Sequence, residues 1–441
     1  MSAEPRKQIH LGAHFPGVNN TTVWSDPSSG SQIDFDSFAH LARTAERGLF
    51  DFFFLAEGLR LREHRGRIHD LDVVGRPDTF TVLAALAAVT DRLGLVGTIN
   101  TTFNEPFEVA RQFATLDHLS DGRAGWNMVT SSDAFTGENF RRGGFLDHAD
   151  RYHRADEFLT VAQRFWDSWA ADAVLAERES GRYVDPDRIR AVDHHGVHFD
   201  VRGVATLPPM PQQYPVLLQA GDSADGRAFG ARRADALFTL HAELDAGRRY
   251  YADVKAKAAA AGRDPDRLKV FPAASFVLGD TADDAHEKAR HIRLQQVSGP
   301  TALAMLEQVW QCDLSGYDPD GPLPDVDPVD DPTLSQGRVR HGDPRAVAAA
   351  WRERAEADNL SIRELVIAVT SRQQFVGTAA HIADEIDLHV QTDACDGFIL
   401  VPHLTPHGLD EFVDSVVPLL QERGSFRGEY SGDTLRGHLG L

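Results

Sequence analysis

The sequence predicts an α/β fold, a barrel of eight parallel strands with helices between them, and three observations carry that prediction. Short apolar runs such as Phe52–Leu55 and Val216–Gln219 recur along the chain. They are too short for helices and suit strands buried on both faces. Stretches with apolar residues at helical spacing alternate with them, the order expected for a parallel sheet. The tally of strand candidates reaches eight, the number that closes a (β/α)8 barrel, and 441 residues is a length that such a barrel with insertions attains.

In chain order, Ile9, Leu11 and Ala13 alternate with His10 and Gly12 and make the first strand. Phe38, Leu41, Ala42 and Ala45 form a helical stripe that Gly48 stops. Phe52–Leu55 is the second strand. A helix through Phe80, Leu83, Ala84 and Ala87 leads to a third strand that ends at Asn100. Asn104 is placed to cap the next helix, with Pro106 in its first turn. Val109, Ala110, Phe113 and Leu116 are its apolar face, and Ser120-Asp121-Gly122 ends it. Ala124–Val129 is the fourth strand. A polar loop, GENFRRGGFLDHADRY, then enters a helix with Phe158, Val161, Ala162, Phe165 and Trp169 on one face.

HHGVHFDVRG reads as a surface hairpin. Val216–Gln219, Ala236–Thr239, Lys269–Ala274 and Gly397–Leu400 complete the strands, with an oversized connection, residues 280–376, between the seventh and the eighth. It holds helical stretches around residues 285–296 and 346–357 and an Asp/Pro/Gly-rich piece from Cys312 to Gly337, and it reads as a cover over the barrel mouth. Phe412, Val416 and Leu419 mark a closing helix, and residues 424–441 form an arm that packs on this barrel or on a neighbour. The whole chain, 1–441, is thus expected to be one barrel domain.

Composition narrows the function. Hydrophobic residues make up 42% of the chain, enough for a large core, with no apolar run near the length of a membrane span. The opening residues lack the pattern of an export signal, so a soluble cytoplasmic protein is expected. Cys312 and Cys395 cannot build a disulfide framework or a sulfur-rich metal site. A net charge of −21 argues against nucleic acid and anionic membranes as partners. Arginines nevertheless gather at Arg60, Arg62, Arg65 and Arg67, either as solvated loop charge or as a positive lip that draws in an anionic ligand.

Two patterns suggest a phosphate-bearing ligand. QAGDSADGRAFG follows the fifth strand and opens a helix, where free N–H groups and the Ser223 hydroxyl suit a phosphate; simple helix capping by Ser223 or Asp222 is the alternative. His148 and Tyr152, four residues apart at a loop-to-helix junction, can share a face toward the barrel mouth or face solvent. His194, His195 and His198 lie on the predicted hairpin, whose side chains point to both faces, so no metal site is expected. Acidic pairs are too common for their spacing alone to identify or exclude a glycosidase.

The segments EPFEVARQFATLDHLSDGRAGWNMVTS, DHADRYHRADEF and YPVLLQAGDSADGRAFGARRADALF, with the terminal TLRGHLGL, resemble the bacterial luciferase-like flavin monooxygenases, in the branch of nitrilotriacetate and dibenzothiophene sulfone monooxygenases. The resemblance spans nearly the whole chain. It implies a TIM-type barrel, reduced FMN as cofactor delivered by a separate NAD(P)H:flavin reductase, O2 as co-substrate through a flavin (hydro)peroxide, and a homodimer or homotetramer. By position it assigns FMN contacts to Glu57, Asn100, His148, Tyr152 and Ser223. Glu57 stands where an Asp, and Asn100 where a Ser or Thr, is usual. Asn127 and Thr130 fall near the isoalloxazine ring by the same likeness, and no catalytic side chain is assigned. His14, Trp24 and the arginine-rich loop after Leu59 are candidates for the substrate wall. A deazaflavin-dependent dehydrogenase of the same fold and a non-catalytic flavin-binding protein are the alternatives.

Overall fold

Eight parallel strands close on themselves in the computed structural model, which describes residues 6–19, 21–68, 76–131, 134–141, 150–329, 335–336, 343–370 and 373–441. The strands are β1 (His10–Phe15), β2 (Phe52–Leu55), β3 (Gly94–Asn100), β4 (Ala124–Val129), β5 (Val216–Gln219), β6 (Ala236–Thr239), β7 (Lys269–Leu278) and β8 (Gly397–Leu400). Each pairs with the next in parallel, and β8 returns to β1 with His10 opposite Gly397. Every residue of β2, β3, β5 and β8 is buried, as continuous apolar runs in a helix-wrapped parallel sheet require.

Helices α1 (Phe35–Arg47), α2 (Thr79–Ala87), α3 (Pro106–Leu119), α4 (Arg151–Trp166), α5 (Ala224–Arg233) and α6 (Leu244–Ala260) surround the strands. Their apolar faces build the outer core through Phe38, Leu83, Phe113 and Phe158, packed with Trp126 of β4. Helix α2 lies so close to β3 that a Cβ at Gly97 would come within 2.2 Å of the Thr79 methyl.

Two local expectations need correction. Glu105, not Asn104, is the N-cap of α3; the Asn104 amide instead donates to the Asn100 carbonyl at 2.8 Å and braces the end of β3. Trp169 is not on the face of α4, which ends at Trp166. It bridges to Ile189, and its indole N–H donates to the Ala205 carbonyl. HHGVHFDVRG does form an antiparallel hairpin.

The stretch between β7 and β8 has more order than its composition suggests. It contains α7 (Ala282–Gln296), α8 (Gly299–Trp310), α9 (Pro344–Asp358) and α10 (Ile362–Thr370), followed by α11 (Ala379–Gln391). Residues of α8, α9 and α10 share a separate small core with Trp310, Leu306, Ala348, Ile362 and Leu314. A further strand, Gln373–Gly377, pairs with the second half of β7 outside the barrel, beyond a register shift at Ser275/Phe276. This side strand is absent from the sequence reading, and β7 runs past the expected end at Ala274 to Leu278.

The barrel floor is sealed by the chain itself. After α12 (Asp410–Ser415) and α13 (Val417–Glu422), the last segment crosses beneath the strands and ends in the short helix α14 (Leu435–His438). Leu435 and Leu439 pack among Phe52, Val96, Val216, Ala236, Phe271 and Ile399. Here the Arg427 guanidinium donates to the Asp51 carboxylate. Burial opposes the charge of Asp51, but Arg427 and His10 override it and hold the carboxyl at about 2. No helix among the described residues is long and apolar enough to cross a membrane.

Candidate functional site

The carboxyl ends of the strands open into a cleft of about 1520 Å³ that is continuous with solvent. Its floor and walls include His14 from the end of β1, Phe54 of β2, Thr98 of β3, Asn127 of β4 and Phe238 of β6. This is the face on which barrels of this type carry their sites, because loops there vary without disturbing the strands. A smaller apolar pocket beside α3 and α4, lined by Phe107, Phe165 and Trp166, lies on the outer wall.

Glu57 follows β2 and lines the cleft. The Asn100 backbone N–H and side-chain amide both donate to its carboxylate, at 3.1–3.2 Å. Asn100 is fully buried and also accepts from Phe103 N–H at 2.7 Å, so its amide orientation is set. Burial pushes the Glu57 carboxyl up to about 7; the Asn100 bonds pull the other way, and nearby Asp78 adds to the rise. The ends of β2 and β3 thus carry a carboxyl that is partly protonated at neutral pH.

A second cluster lies across the mouth. Ser223 caps α5, its hydroxyl accepting from Gly226 N–H at 3.1 Å, and the Tyr152 hydroxyl is 3.4 Å from it. A Cβ on Gly221 or Gly226 would fall 2.8 or 2.7 Å from the Tyr152 hydroxyl, so only glycine leaves this cradle open. Free N–H groups, a hydroxyl and a phenol at a helix N-terminus are a donor set for an anion. Asp222 in the same turn is held by Arg227 and His241.

The two clusters, Glu57–Asn100 and Tyr152–Ser223, stand on either side of strand ends that carry unsatisfied atoms. Among the described residues, Asn127 Oδ1, Gln219 Oε1 and His14 Nδ1 are buried without a hydrogen-bond partner. The Asn127 amide donates to the Thr98 hydroxyl at 2.9 Å, which leaves its oxygen as the orphan. Burial, then the charge of Arg76, lowers His14 to about 3, so this imidazole is neutral. Buried polar atoms without partners are costly in a finished interior, and those of Asn127 and His14, which line one cleft, mark a ligand's place.

Of the sequence-predicted residues, Glu57, Asn100, Tyr152 and Ser223 fall into these clusters, and His148 lies outside the described residues. Asn127 lines the cleft; Thr130 does not, although its neighbours Val129 and Ser131 do. For the substrate wall, His14, Arg60 and Arg62 line the cleft, whereas Trp24 is 60% exposed and takes no part in the lining. Arg65 turns away to bind Glu307 and Asp313. Sequence reasoning missed Thr98 and Arg76, which line the cleft. Thr98 was legible as a polar residue near the end of an apolar strand.

Fold and site together define a TIM-type barrel enzyme whose ligand site sits at the strands' carboxyl ends, with an anion cradle to one side. Residues 17–396 match the family model described as luciferase-like monooxygenase, and the chain belongs to that family. It is 41% identical to the N-acetyl-S-(2-succino)cysteine monooxygenase of Bacillus subtilis (strain 168), over 99% of this chain and 97% of that protein. It is 40% identical to nitrilotriacetate monooxygenase component A of Aminobacter aminovorans, with the same coverage. Among solved structures, a riboflavin lyase with modified FMN and its substrate riboflavin superposes with a TM-score of 0.80 at 31% identity, covering 99% of this chain and 96% of that one.

Proposed function

We propose that this protein is the oxygenase of a two-component system: it takes reduced FMN from a separate NAD(P)H:flavin reductase and uses O2 to oxidise a small organic molecule. The observation that carries the reading is the pairing of an anion cradle at Tyr152, Ser223, Gly221 and Gly226 with a cleft whose orphaned polar atoms lie at the strand ends. The first suits the phosphate of FMN, and the second suits a flat heteroaromatic ring with donors and acceptors on its edge. The likeness to a relative named as component A supports a separate partner, and the likeness to the flavin-bound lyase supports FMN as the ligand.

Reduced FMN, when bound, supplies the electrons that let O2 deliver one oxygen atom to the substrate. The chain's own work is binding, orientation and exclusion of water. Ser223 and Tyr152 hold the phosphate end, and His148 is assigned to the same end by the family likeness. Asn127 Oδ1, buried without a partner in the cleft, offers an acceptor to a donor on the ring edge. Glu57, with Asn100 fixing its orientation, either donates or accepts at the ring according to its protonation. His14, neutral at working pH, offers a lone pair or an N–H in the cleft without adding charge there. The helices of residues 280–376 and the loop around Arg65 are read as one cover, because Glu307 of α8 takes both His64 and Arg65.

The deciding experiment is an anaerobic titration with reduced FMN followed by mixing with O2. We expect stoichiometric binding and an oxidation time course distinct from that of free reduced FMN, with substrate-dependent oxygen uptake in a later screen. Oxidation at the free-flavin rate, or absence of binding, would remove the reading.

A further inference from the structure

On the outer side of the same face, the loop after β8 folds back against α1 and brings together three side chains that the proposed reaction does not use. His40 belongs to α1, His407 to the turn after β8, and Asp410 opens α12. His40 Nε2 is 2.9 Å from both carboxylate oxygens of Asp410. His407 Nδ1 is 3.2 Å from Asp410 Oδ2 and 3.1 Å from His40 Nε2.

Hydrogen bonding alone leaves this trio in conflict. A neutral imidazole nitrogen either carries a proton or offers a lone pair. If both nitrogens send protons to Asp410, two N–H groups face each other at close range. If one nitrogen is bare, it can take only a share of the other's proton, and it then turns a lone pair toward a carboxylate. A cation removes the conflict by accepting a lone pair from all three groups.

The spacing also suits a cation. Ligand atoms about 2.0–2.1 Å from a tetrahedral Zn2+ stand roughly 3.3 Å from one another. The three atoms here are separated by 2.9, 3.1 and 3.2 Å. The Thr44 hydroxyl donates to Asp410 Oδ1 at 2.8 Å and fixes the carboxylate from behind, as outer-shell partners of metal ligands do. Arg43 and Arg47 of the same helix share a surface pocket with His40, and Arg47 is committed to Asp414.

We propose that His40, His407 and Asp410 form a site for a divalent transition-metal cation of the zinc class, with a fourth position open to water. Two imidazoles and one carboxylate are a borderline donor set that favours such a cation over Mg2+ or Ca2+. Its effect is mechanical. The ion fastens the turn after β8 to α1, and that turn in turn holds the loop after β1. The Val23 N–H donates to the His403 carbonyl at 2.8 Å, and the Gly30 N–H to the Thr405 carbonyl at 2.6 Å. The clip thus stiffens one wall of the barrel mouth without touching the reacting atoms.

The test is calorimetric titration of the chelator-treated full chain with ZnCl2 at mildly alkaline pH. We expect one ion per chain and a rise in Tm on binding. Affinity should fall about tenfold or more in His407→Ala and in His40→Gln, a tenfold fall being about 1.4 kcal/mol. It should be unchanged in His195→Ala, which controls for the exposed histidines of the hairpin. A second readout guards against misfolded variants: Co2+ bound to the wild-type chain should give the visible spectrum of a tetrahedral ion, lost in His407→Ala. Unchanged zinc affinity in His407→Ala and His40→Gln, loss in His195→Ala instead, or no tetrahedral cobalt spectrum in the wild type would overturn the proposal.

Discussion

Glu57 shows how much one side chain's surroundings can change its behaviour. Its folded pKa of about 7 lies above the ordinary 4.5, so the folded chain holds a proton that the unfolded chain has released between those values. Stability from this group is therefore complete below about 4.5 and is lost as pH rises through 7. Thermal unfolding of the flavin-free protein across this window should show that slope, and Glu57→Gln should remove its part of it. A negative Glu57 would also repel the anionic ring of reduced FMN, so affinity should weaken as pH passes 7 in the wild type and stay flat in Glu57→Gln. Ser223 permits a sharper test. Ser223→Ala deletes a helix cap, at about 1 kcal/mol, and a hydroxyl donor to a phosphate. FMN affinity, read by fluorescence quenching, should fall about tenfold, the effect of about 1.4 kcal/mol. Riboflavin has no phosphate, and its affinity should stay within twofold.

At the scale of elements, the segment beneath the barrel is structural in a way its sequence conceals. GSFRGEYSGDTLRGHLGL is polar and glycine-rich, yet Leu435 and Leu439 are among the best-buried residues. Only two apolar positions are needed to fill the end of a barrel, so no periodic pattern announces them. Leu435→Ala should cost about 2–5 kcal/mol of unfolding free energy, the range for a buried leucine that leaves a cavity. Arg427→Ala should cost about 3–5 kcal/mol, because it removes the guanidinium from the fully buried Asp51 carboxylate and leaves it only His10 and the Leu11 N–H. Denaturant unfolding followed by tryptophan fluorescence checks both. The barrel strands were legible for the opposite reason: burial on both faces writes an unbroken apolar run. The side strand Gln373–Gly377 escaped because it lies outside the barrel beside β7, and its leading glutamines look like loop. The cap at Asn104 was misplaced because the side chain found a stronger local duty at the end of β3.

Across the whole molecule, the region between β7 and β8 is coupled to the arginine-rich loop rather than draped over it. Glu307 joins the two through His64 and Arg65, and burial of that carboxylate, outweighed by its partners, leaves it ionised. Glu307→Gln should loosen the cover, and the expected result is a larger share of reduced FMN oxidised without product, measured as oxygen uptake against product formed. Much of the candidate site could be read in the sequence because Ser223 and Tyr152 sit at a helix start whose chemistry is local. Arg76 could not, since its approach to His14 depends on how a long loop returns to the barrel.

The seal beneath the strands also governs when this chain can become itself on the ribosome. β1 is made first but finds one of its two neighbours in β8, so the sheet cannot close until almost the entire polypeptide has emerged. Even then its lower opening, ringed by Phe52, Val96 and Phe271, remains wet until Leu435 and Leu439 arrive. Nascent chains therefore carry an exposed apolar ring through nearly all of translation, the condition in which chaperone capture competes with aggregation.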